Sequence, residues 1–112
     1  MSTAIKIADE LHSFDGVVKV DFLKVRKVSL IIRALNHSIR ESILNIINEK
    51  NRTTVTEIYT RLNLEQSIAS QHLALLRKAG ILKTEKEKKF VYYSINKEKL
   101  DIINVSILQF ID

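Results

Sequence analysis

The residues best suited to chemistry in this chain are polar and basic side chains between positions 64 and 80, and their spacing fits contact with a nucleic acid. Read as a helix at about 100° per residue, Ala69, Leu73 and Leu76 form one apolar stripe. A helix that enters a DNA groove needs compact hydrogen-bonding groups and few carboxylates on its outer face. Roughly opposite the stripe lies a strip of small, polar and basic side chains without a carboxylate: Ser67, Ser70, Gln71, Ala74 and Lys78.

We therefore predict that four side chains of this helix contact base edges and phosphates, namely Gln66, Ser67, Ser70 and Gln71, and that Lys78 reaches the DNA backbone. The alternative is a merely solvated polar face. The location of charge favours DNA, because residues 61–99 hold nine Lys/Arg against four Glu, which equals the net charge of +5 of the whole chain. A basic zone that coincides with a candidate reading helix fits a phosphate partner.

Two segments after this helix alternate in the manner of antiparallel strands, residues 81–85 and 89–95, and we predict a turn about Glu87 and Lys88. Three lysines surround the predicted tip: Lys86, Lys88 and Lys89. As a wing, they would meet phosphates or the minor groove. Charged hairpin tips are also common without any such role, but a position directly after the helix favours the wing.

The remaining pattern predicts helices that hold this unit in place. The segment from about Asp21 to Leu35 is apolar around most of its girth, so we expect it to be buried on two sides, one of them against another subunit. Ser38 followed by Glu41 reads as a capping box for the next helix. The other boundaries are predicted at Thr53 or Thr54 (an N-cap), Asn63 (a tight turn) and Gly80 (a C-cap), with a last helix over residues 97–111.

Residues needed for metal binding or catalysis are lacking. The chain has no cysteine, and its three histidines, His12, His37 and His72, are scattered singly, so we expect no metal site and no cofactor. Neither a Gly-rich phosphate loop nor a nucleophile motif occurs, so we expect no enzyme activity. His72 adjoins the apolar stripe, which favours a packed structural histidine over a DNA contact or a ligand.

The 112 residues predict one domain over positions 21–112, preceded by an N-terminal arm or short helix over 1–20. No window approaches the roughly 18 apolar residues of a membrane span, and the N-terminus lacks the layout of a signal peptide. With no cysteine either, we expect a cytoplasmic protein.

The order helix, helix, helix-turn-helix, hairpin, helix resembles the ArsR-type family of winged-helix transcriptional repressors. The resemblance covers roughly residues 30–100. Three segments carry it: Ala34-Leu35-Asn36-His37-Ser38-Ile39-Arg40, then Ser70-Gln71-His72-Leu73 with Leu76 and Ala79-Gly80-Ile81-Leu82, and finally Phe90-Val91-Tyr92-Tyr93-Ser94-Ile95. Two residues depart from the family's pattern. Asn63 stands where Gly is usual, and Glu65 puts a carboxylate where the family has a neutral cap.

This resemblance implies a mainly α fold with a small β-hairpin, a winged helix-turn-helix, that dimerises through the first long helix and the C-terminal helix. We expect the dimer interface to include Val25, Ile32, Ile103 and Ile107. The expected function is a homodimeric regulator, a repressor that occupies a palindromic operator in double-stranded DNA. An unknown small-molecule effector is compatible with it. The alternative is a winged-helix module or anti-repressor that docks another protein and does not bind DNA.

Overall fold

The computed structural model describes residues 19–111, so nearly all of the predicted N-terminal arm lies outside the described residues. The elements follow the predicted order: α1 (Phe22–Leu35), α2 (Ser38–Lys50), α3 (Val55–Leu62), α4 (Gln66–Lys78), β1 (Leu82–Glu87), β2 (Phe90–Ile95) and α5 (Lys97–Ile111). Helices α3 and α4 form the helix-turn-helix, and β1 and β2 pair as an antiparallel hairpin that we call the wing. The predicted fold class, mainly helical with a small hairpin, is confirmed.

The core lies between α2, α3, α4 and the base of the wing. The predicted stripe of α4 is fully buried, since Ala69, Leu73 and Leu76 have no exposed surface. It packs with apolar residues of the neighbouring elements: Ile43, Ile47, Ile58, Ile81 and Leu82. Burial of this stripe fixes which side of α4 faces outward, because the opposite side of a helix cannot reach the same core.

The N-cap residues of α2 and α3 correct one prediction from the sequence and confirm another. The N-cap of α2 is His37, whose Nδ1 accepts a hydrogen bond from the Ile39 N–H at 3.1 Å, and Ser38 is already helical. The predicted capping box at Ser38 is therefore wrong, because the extended backbone of His37 brings its imidazole to the helix end. Thr54 caps α3 as predicted, and its hydroxyl accepts from the Glu57 N–H.

Two residues in the left-handed region make the turns on either side of α4. Asn63 has φ 54° and ψ 47°, as predicted for the turn between α3 and α4. Gly80 has φ +80°, and its N–H donates to the Arg77 carbonyl while the Ile81 N–H donates to the Leu76 carbonyl. This is the Schellman pattern of helix termination. A Cβ at Gly80 would meet only ordinary contacts, so the backbone conformation is what calls for glycine.

The wing is longer at its tip than the sequence predicts. The strand register runs from Leu82 opposite Ile95 to Glu87 opposite Phe90, which leaves Lys88 and Lys89 as the turn. The predicted turn at Glu87 and Lys88 is therefore one residue too early. Alternation of side chains identifies the strands but not where their pairing stops, and Lys88 adopts φ 58° to make the turn.

Helices α1 and α5 leave apolar side chains uncovered. On α1 Ala34 is buried, whereas Val25 and Ile32 are 48% and 51% exposed. On α5 Ile107 is 36% exposed, but Ile103 is only 7% exposed because it packs into the core of its own chain. Ile103 thus offers little surface to a partner subunit, whereas Val25, Ile32 and Ile107 are exposed. Within the part of the chain that is described, no helix has the length and hydropathy needed to cross a membrane.

Candidate nucleic-acid interface

Helix α4 presents a continuous outward strip. The residues that share this strip are Ser67, Gln71, Ala74 and Lys78, which fall within an arc of about 60° on the helical wheel. All four are exposed, and none carries a carboxylate. Because the opposite side of the helix is held in the core, the side chains of the strip have a fixed orientation. A fixed orientation is needed to contact base pairs, whose hydrogen-bonding groups are themselves at fixed positions.

The other two predicted residues of α4 lie away from the centre of the strip. Ser70 is exposed on its flank, and Gln66 lies closer to the buried side but is exposed because it belongs to the first turn. Gln66 and Lys78 occupy opposite ends of a 13-residue helix, so they are about 18 Å apart along its axis. The structure therefore brings Ser67 and Gln71 together and places Lys78 toward the far end.

The N-terminus of α4 lacks a side-chain cap. Glu65 is the N-cap residue, and its carboxylate makes no hydrogen bond to the N–H groups of the first turn. The cause is its length, since Asp, Asn, Ser and Thr reach these groups from the N-cap position and glutamate does not. The amides beside Gln66 and Ser67 therefore have no acceptor from the capping side chain. Such amides are donors suited to a phosphate oxygen.

His72 lies on the flank of α4 that packs against α2. Its Nδ1 is 3.0 Å from Nη1 of Arg40, and its ring centroid is 4.8 Å from that of His37. A guanidinium can only donate, so Nδ1 accepts and the ring is neutral with its proton on Nε2. Burial, and then the nearby His37 and Arg40, lower the pKa of His72. The prediction of a packed, hydrogen-bonded histidine is confirmed.

Arg40 is a residue that the sequence reasoning missed. It is 5% exposed, and besides His72 it donates from Nε to the Ala34 carbonyl at 2.6 Å and from Nη2 to the Arg33 carbonyl at 2.9 Å. One guanidinium thus joins the end of α1 to α2 and α4. The sequence pattern does indicate that Arg40 is buried, because it lies on the same helical face as Ile43 and Ile47, at spacings of three and seven residues.

The wing carries its three lysines at the outer end. Lys88 and Lys89 form the turn, and Lys86 lies opposite Val91 near the end of β1. All three are exposed, and none has a carboxylate within ion-pair distance in the described range 19–111; the same holds for Lys78. Their charges are therefore not neutralised within the described chain. Unpaired lysines of this kind are the groups that release counterions when they meet a phosphate backbone.

The described residues contain no group of three or more His, Cys, Asp or Glu side chains placed to hold a metal ion. Two open surface clefts, of about 430 and 420 Å³, are both lined by Asn48, Ile95 and Lys97. Across the described residues, no buried side-chain nitrogen or oxygen lacks a hydrogen-bond partner. Neither cleft therefore contains an orphaned polar group that would identify a small-molecule effector.

Comparison with known proteins connects this geometry with transcription regulators. The family model described as bacterial regulatory protein, arsR family, matches residues 37–84, which run from the N-cap of α2 into β1. The transcriptional repressor PagR of Bacillus anthracis is 30% identical over 83 residues, 74% of this chain and 83% of PagR. The crystal structure of PagR superposes with a TM-score of 0.62 over 76% of this chain and 98% of that one, at 30% identity.

Two further relatives differ in what their names say. The transcriptional activator HlyU of Vibrio cholerae is 37% identical over 70 residues, 62% of this chain and 64% of HlyU. A cadmium resistance transcriptional regulatory protein, the CadC homolog of Staphylococcus aureus, is 32% identical over 71 residues, 63% of this chain and 59% of the relative. The chain thus spans less than two thirds of these two relatives, but most of PagR.

Proposed function

Because this chain belongs to the ArsR family of bacterial regulatory proteins, we propose that it regulates transcription by binding double-stranded DNA, with α4 as the recognition helix in the major groove. The single observation that carries this proposal is the outward strip of α4. It is exposed, free of carboxylates and anchored by a fully buried stripe on the opposite side of the helix.

Each side chain of the proposed interface has a role that its chemistry permits. The amide of Gln71 can bind an adenine edge through two hydrogen bonds, and the hydroxyls of Ser67 and Ser70 can donate to or accept from either base type. Gln66 and Lys78, at the two ends of the helix, are assigned to flanking bases and to the backbone. On the wing, Lys86, Lys88 and Lys89 bind phosphates or enter the minor groove.

We further propose that two copies associate through the uncovered apolar faces of α1 and α5. Val25, Val28 and Ile32 form a second apolar stripe on α1, away from buried Ala34. On α5 the large exposed apolar residues are Ile102, Val105, Ile107, Leu108 and Ile111. Patches of this kind mark interaction surfaces. A two-fold dimer would set its recognition helices about 34 Å apart and would read a palindromic operator.

Repression is the mode of action that we propose, by occupation of promoter DNA. The names of the relatives include both modes of regulation, since PagR is named a repressor and HlyU an activator. A dimer on a promoter excludes other proteins without any further contact, whereas activation needs a specific surface for a partner. We place the domain at residues 21–112.

We propose that the regulator does not sense metals through the usual cysteine or histidine sites. The CadC homolog is named for cadmium resistance, but this chain contains no cysteine to supply a thiolate ligand. The two described histidines, His37 and His72, direct Nδ1 to the Ile39 N–H and to Arg40. Neither Nδ1 atom has a lone pair free for a metal ion.

A protein-docking module is the second candidate function, and one observation favours it. Ile68 and Leu75 lie on the same side of α4, two turns apart, and are 36% and 37% exposed, so this helix has an apolar edge. The unpaired lysines at Lys78 and on the wing oppose this function, because charged residues, lysine among them, are depleted at protein–protein interfaces.

An experiment with sheared genomic DNA distinguishes DNA binding from protein docking. The protein is used to select bound fragments, and a recovered fragment is then titrated with the protein over a series of salt concentrations. DNA-binding regulation predicts recovery of a common site. It also predicts affinity that falls linearly with salt on a log–log plot, with a slope of about −0.9 per neutralised phosphate. Recovery of random fragments only, or no salt dependence, would favour protein docking.

A further inference from the structure

The wing is attached to the body of the protein through residues 52 and 53, which precede α3. Thr53 pairs with Tyr93 of β2 as an antiparallel bridge, with N···O distances of 3.0 and 2.7 Å. Thr53 is 2% exposed, and its hydroxyl donates to the carboxylate of Glu57. Glu57 in turn pairs with Lys50 at 2.7 Å, and these two contacts lower its pKa. The backbone anchor is therefore firm, but it reaches only as far as Tyr93.

Beyond Tyr93, the side chain of Arg52 contacts the hairpin. Its Cζ lies 4.1 Å from the ring centroid of Tyr92, and its Nη1 is 2.7 Å from Oε2 of Glu87. Glu87 is the last residue of β1, directly before the Lys88–Lys89 turn. The side chain of Arg52 therefore extends across β2 and binds the last residue of β1. It thereby links the body of the protein to the tip of the wing.

The tip needs such a support. A two-stranded hairpin by itself is at best marginally stable in water, and Lys88 occupies a left-handed conformation that a lysine rarely adopts. The side chains of Arg52 and Glu87 are 43% and 52% exposed, so their ion pair contributes little to the stability of the whole protein. What it can determine is the position of the tip.

We propose that Arg52 is a positioning residue for DNA binding, which holds the wing through Tyr92 and Glu87 so that Lys88 and Lys89 are presented to the phosphates. This rests on the proposed function of the wing. Arg52 has two effects on the tip. It fixes the turn before DNA binds, so less conformational entropy is lost on binding. It also neutralises the carboxylate of Glu87, which would otherwise repel phosphates.

A pair of glutamate variants tests this against simple electrostatics. Glu85 and Glu87 are exposed on the same face of β1, but in the described part of the chain only Glu87 forms an ion pair. Removal of one carboxylate near DNA should strengthen binding, so electrostatics alone predicts a gain of affinity for both Glu85→Ala and Glu87→Ala. The contacts of Arg52 with Tyr92 and Glu87, which we call the brace, predict a different result: Glu85→Ala binds random DNA as well as or better than wild type, while Glu87→Ala binds about threefold to tenfold more weakly.

Arginine variants test the other half of the pair. Arg52→Ala should weaken binding as Glu87→Ala does, and the double variant should be no weaker than Arg52→Ala alone. Lys83→Ala is the control, because it removes a positive charge from the same face of the wing without touching the brace. Arg52→Lys keeps the charge but loses the planar fork, so it should recover only part of the affinity. Full recovery with lysine would show that Arg52 acts as a charge alone.

Amide hydrogen exchange of residues 86–91 in the DNA-free protein separates this proposal from the function it rests on. The brace predicts faster exchange at the tip in Arg52→Ala and Glu87→Ala, with exchange in the core unchanged. A gain of affinity in both glutamate variants, or tip exchange as in wild type, overturns the brace. If Lys88→Ala and Lys89→Ala leave DNA affinity unchanged, the DNA role of the wing fails, while the exchange data still decide whether Arg52 holds the tip.

Discussion

Arg40 and His72 are joined by a hydrogen bond of 3.0 Å from a buried guanidinium to the Nδ1 of a neutral imidazole. The same guanidinium donates to the carbonyls of Arg33 and Ala34 at the end of α1. Helix α4 is therefore fixed not only by its apolar stripe but also by a polar link to α1, the helix that we assign to dimerisation. Within this link, His72 is the group whose pKa the fold lowers, chiefly through burial.

Stability should fall below neutral pH because of His72. Its pKa is lowered in the folded protein, so the unfolded chain binds more protons between its own pKa of about 6.5 and the lower folded value. The contribution is present above about pH 6.5 and is lost as the pH falls toward the folded pKa, by at most about 1.4 kcal/mol per pH unit. Urea unfolding from pH 7.5 to 5 measures it.

His72→Gln is the control for this titration, since its amide oxygen accepts from Arg40 and does not titrate. The variant should lose part of the pH dependence between pH 6.5 and 5. An unchanged dependence would mean that His72 does not titrate differently in the two states.

Glu65→Asp should stabilise the protein. The shorter carboxylate reaches the N–H groups of the first turn of α4, which Glu65 leaves without a side-chain acceptor, and keeps the same charge beside the helix dipole. We expect a gain of about 0.5–1 kcal/mol, or roughly 4 °C in melting temperature. Glu65→Gln, of equal length and without charge, should show no gain. A melting temperature equal to wild type in Glu65→Asp would show that its carboxylate does not cap the helix.

The parts of the fold that depend on local periodicity could be predicted from the sequence. The buried stripe of α4, the turn at Asn63 and the positive φ of Gly80 each follow from residue types within a few positions. The polar links could not, because Arg40 meets His72 across 32 positions and Arg52 meets Glu87 across 35. Their pairing is set by how the elements pack, which no local pattern encodes.

Ile103 illustrates a second limit of the sequence pattern. Helical spacing correctly groups it with Leu100 and Ile107, but spacing does not tell whether the chain's own core or another subunit covers that side. In the structure the core reaches Ile103 and not the exposed end of α5, where Leu108 and Ile111 lie uncovered. The candidate dimer surface therefore follows from exposure in the folded chain.

Ile32→Glu should convert a dimer into a monomer. Ile32 is half exposed in the single chain, so glutamate there costs the folded monomer little, whereas it would place an unpaired charge in the proposed interface. Sedimentation velocity at micromolar concentration should show dimeric wild type and monomeric Ile32→Glu. Arg26→Glu, exposed on another side of α1, is the control and should stay dimeric. Wild type that sediments as a monomer would contradict the proposed assembly.

Metal ions should leave DNA affinity unchanged. The chain has no thiol, and Nδ1 of both His37 and His72 is occupied by a hydrogen bond. Titrations of a recovered DNA site with added Zn²⁺, Cu²⁺ or arsenite, and with a chelator, should superimpose on the untreated curve. A reproducible shift of tenfold or more with any of them would reveal a site that these residues do not predict.

The most direct test of base reading by α4 is binding of Gln71→Ala and Lys88→Ala to a recovered site and to random DNA over a salt series. Gln71→Ala should cost about 1–3 kcal/mol on the recovered site and almost nothing on random DNA. Lys88→Ala should lower the affinity for the recovered site and for random DNA by the same factor. It should also reduce the slope of log affinity against log salt concentration by about one. If Gln71→Ala and Ser70→Ala both bind the recovered site as wild type does, α4 does not read bases, which would contradict the proposed role of this helix.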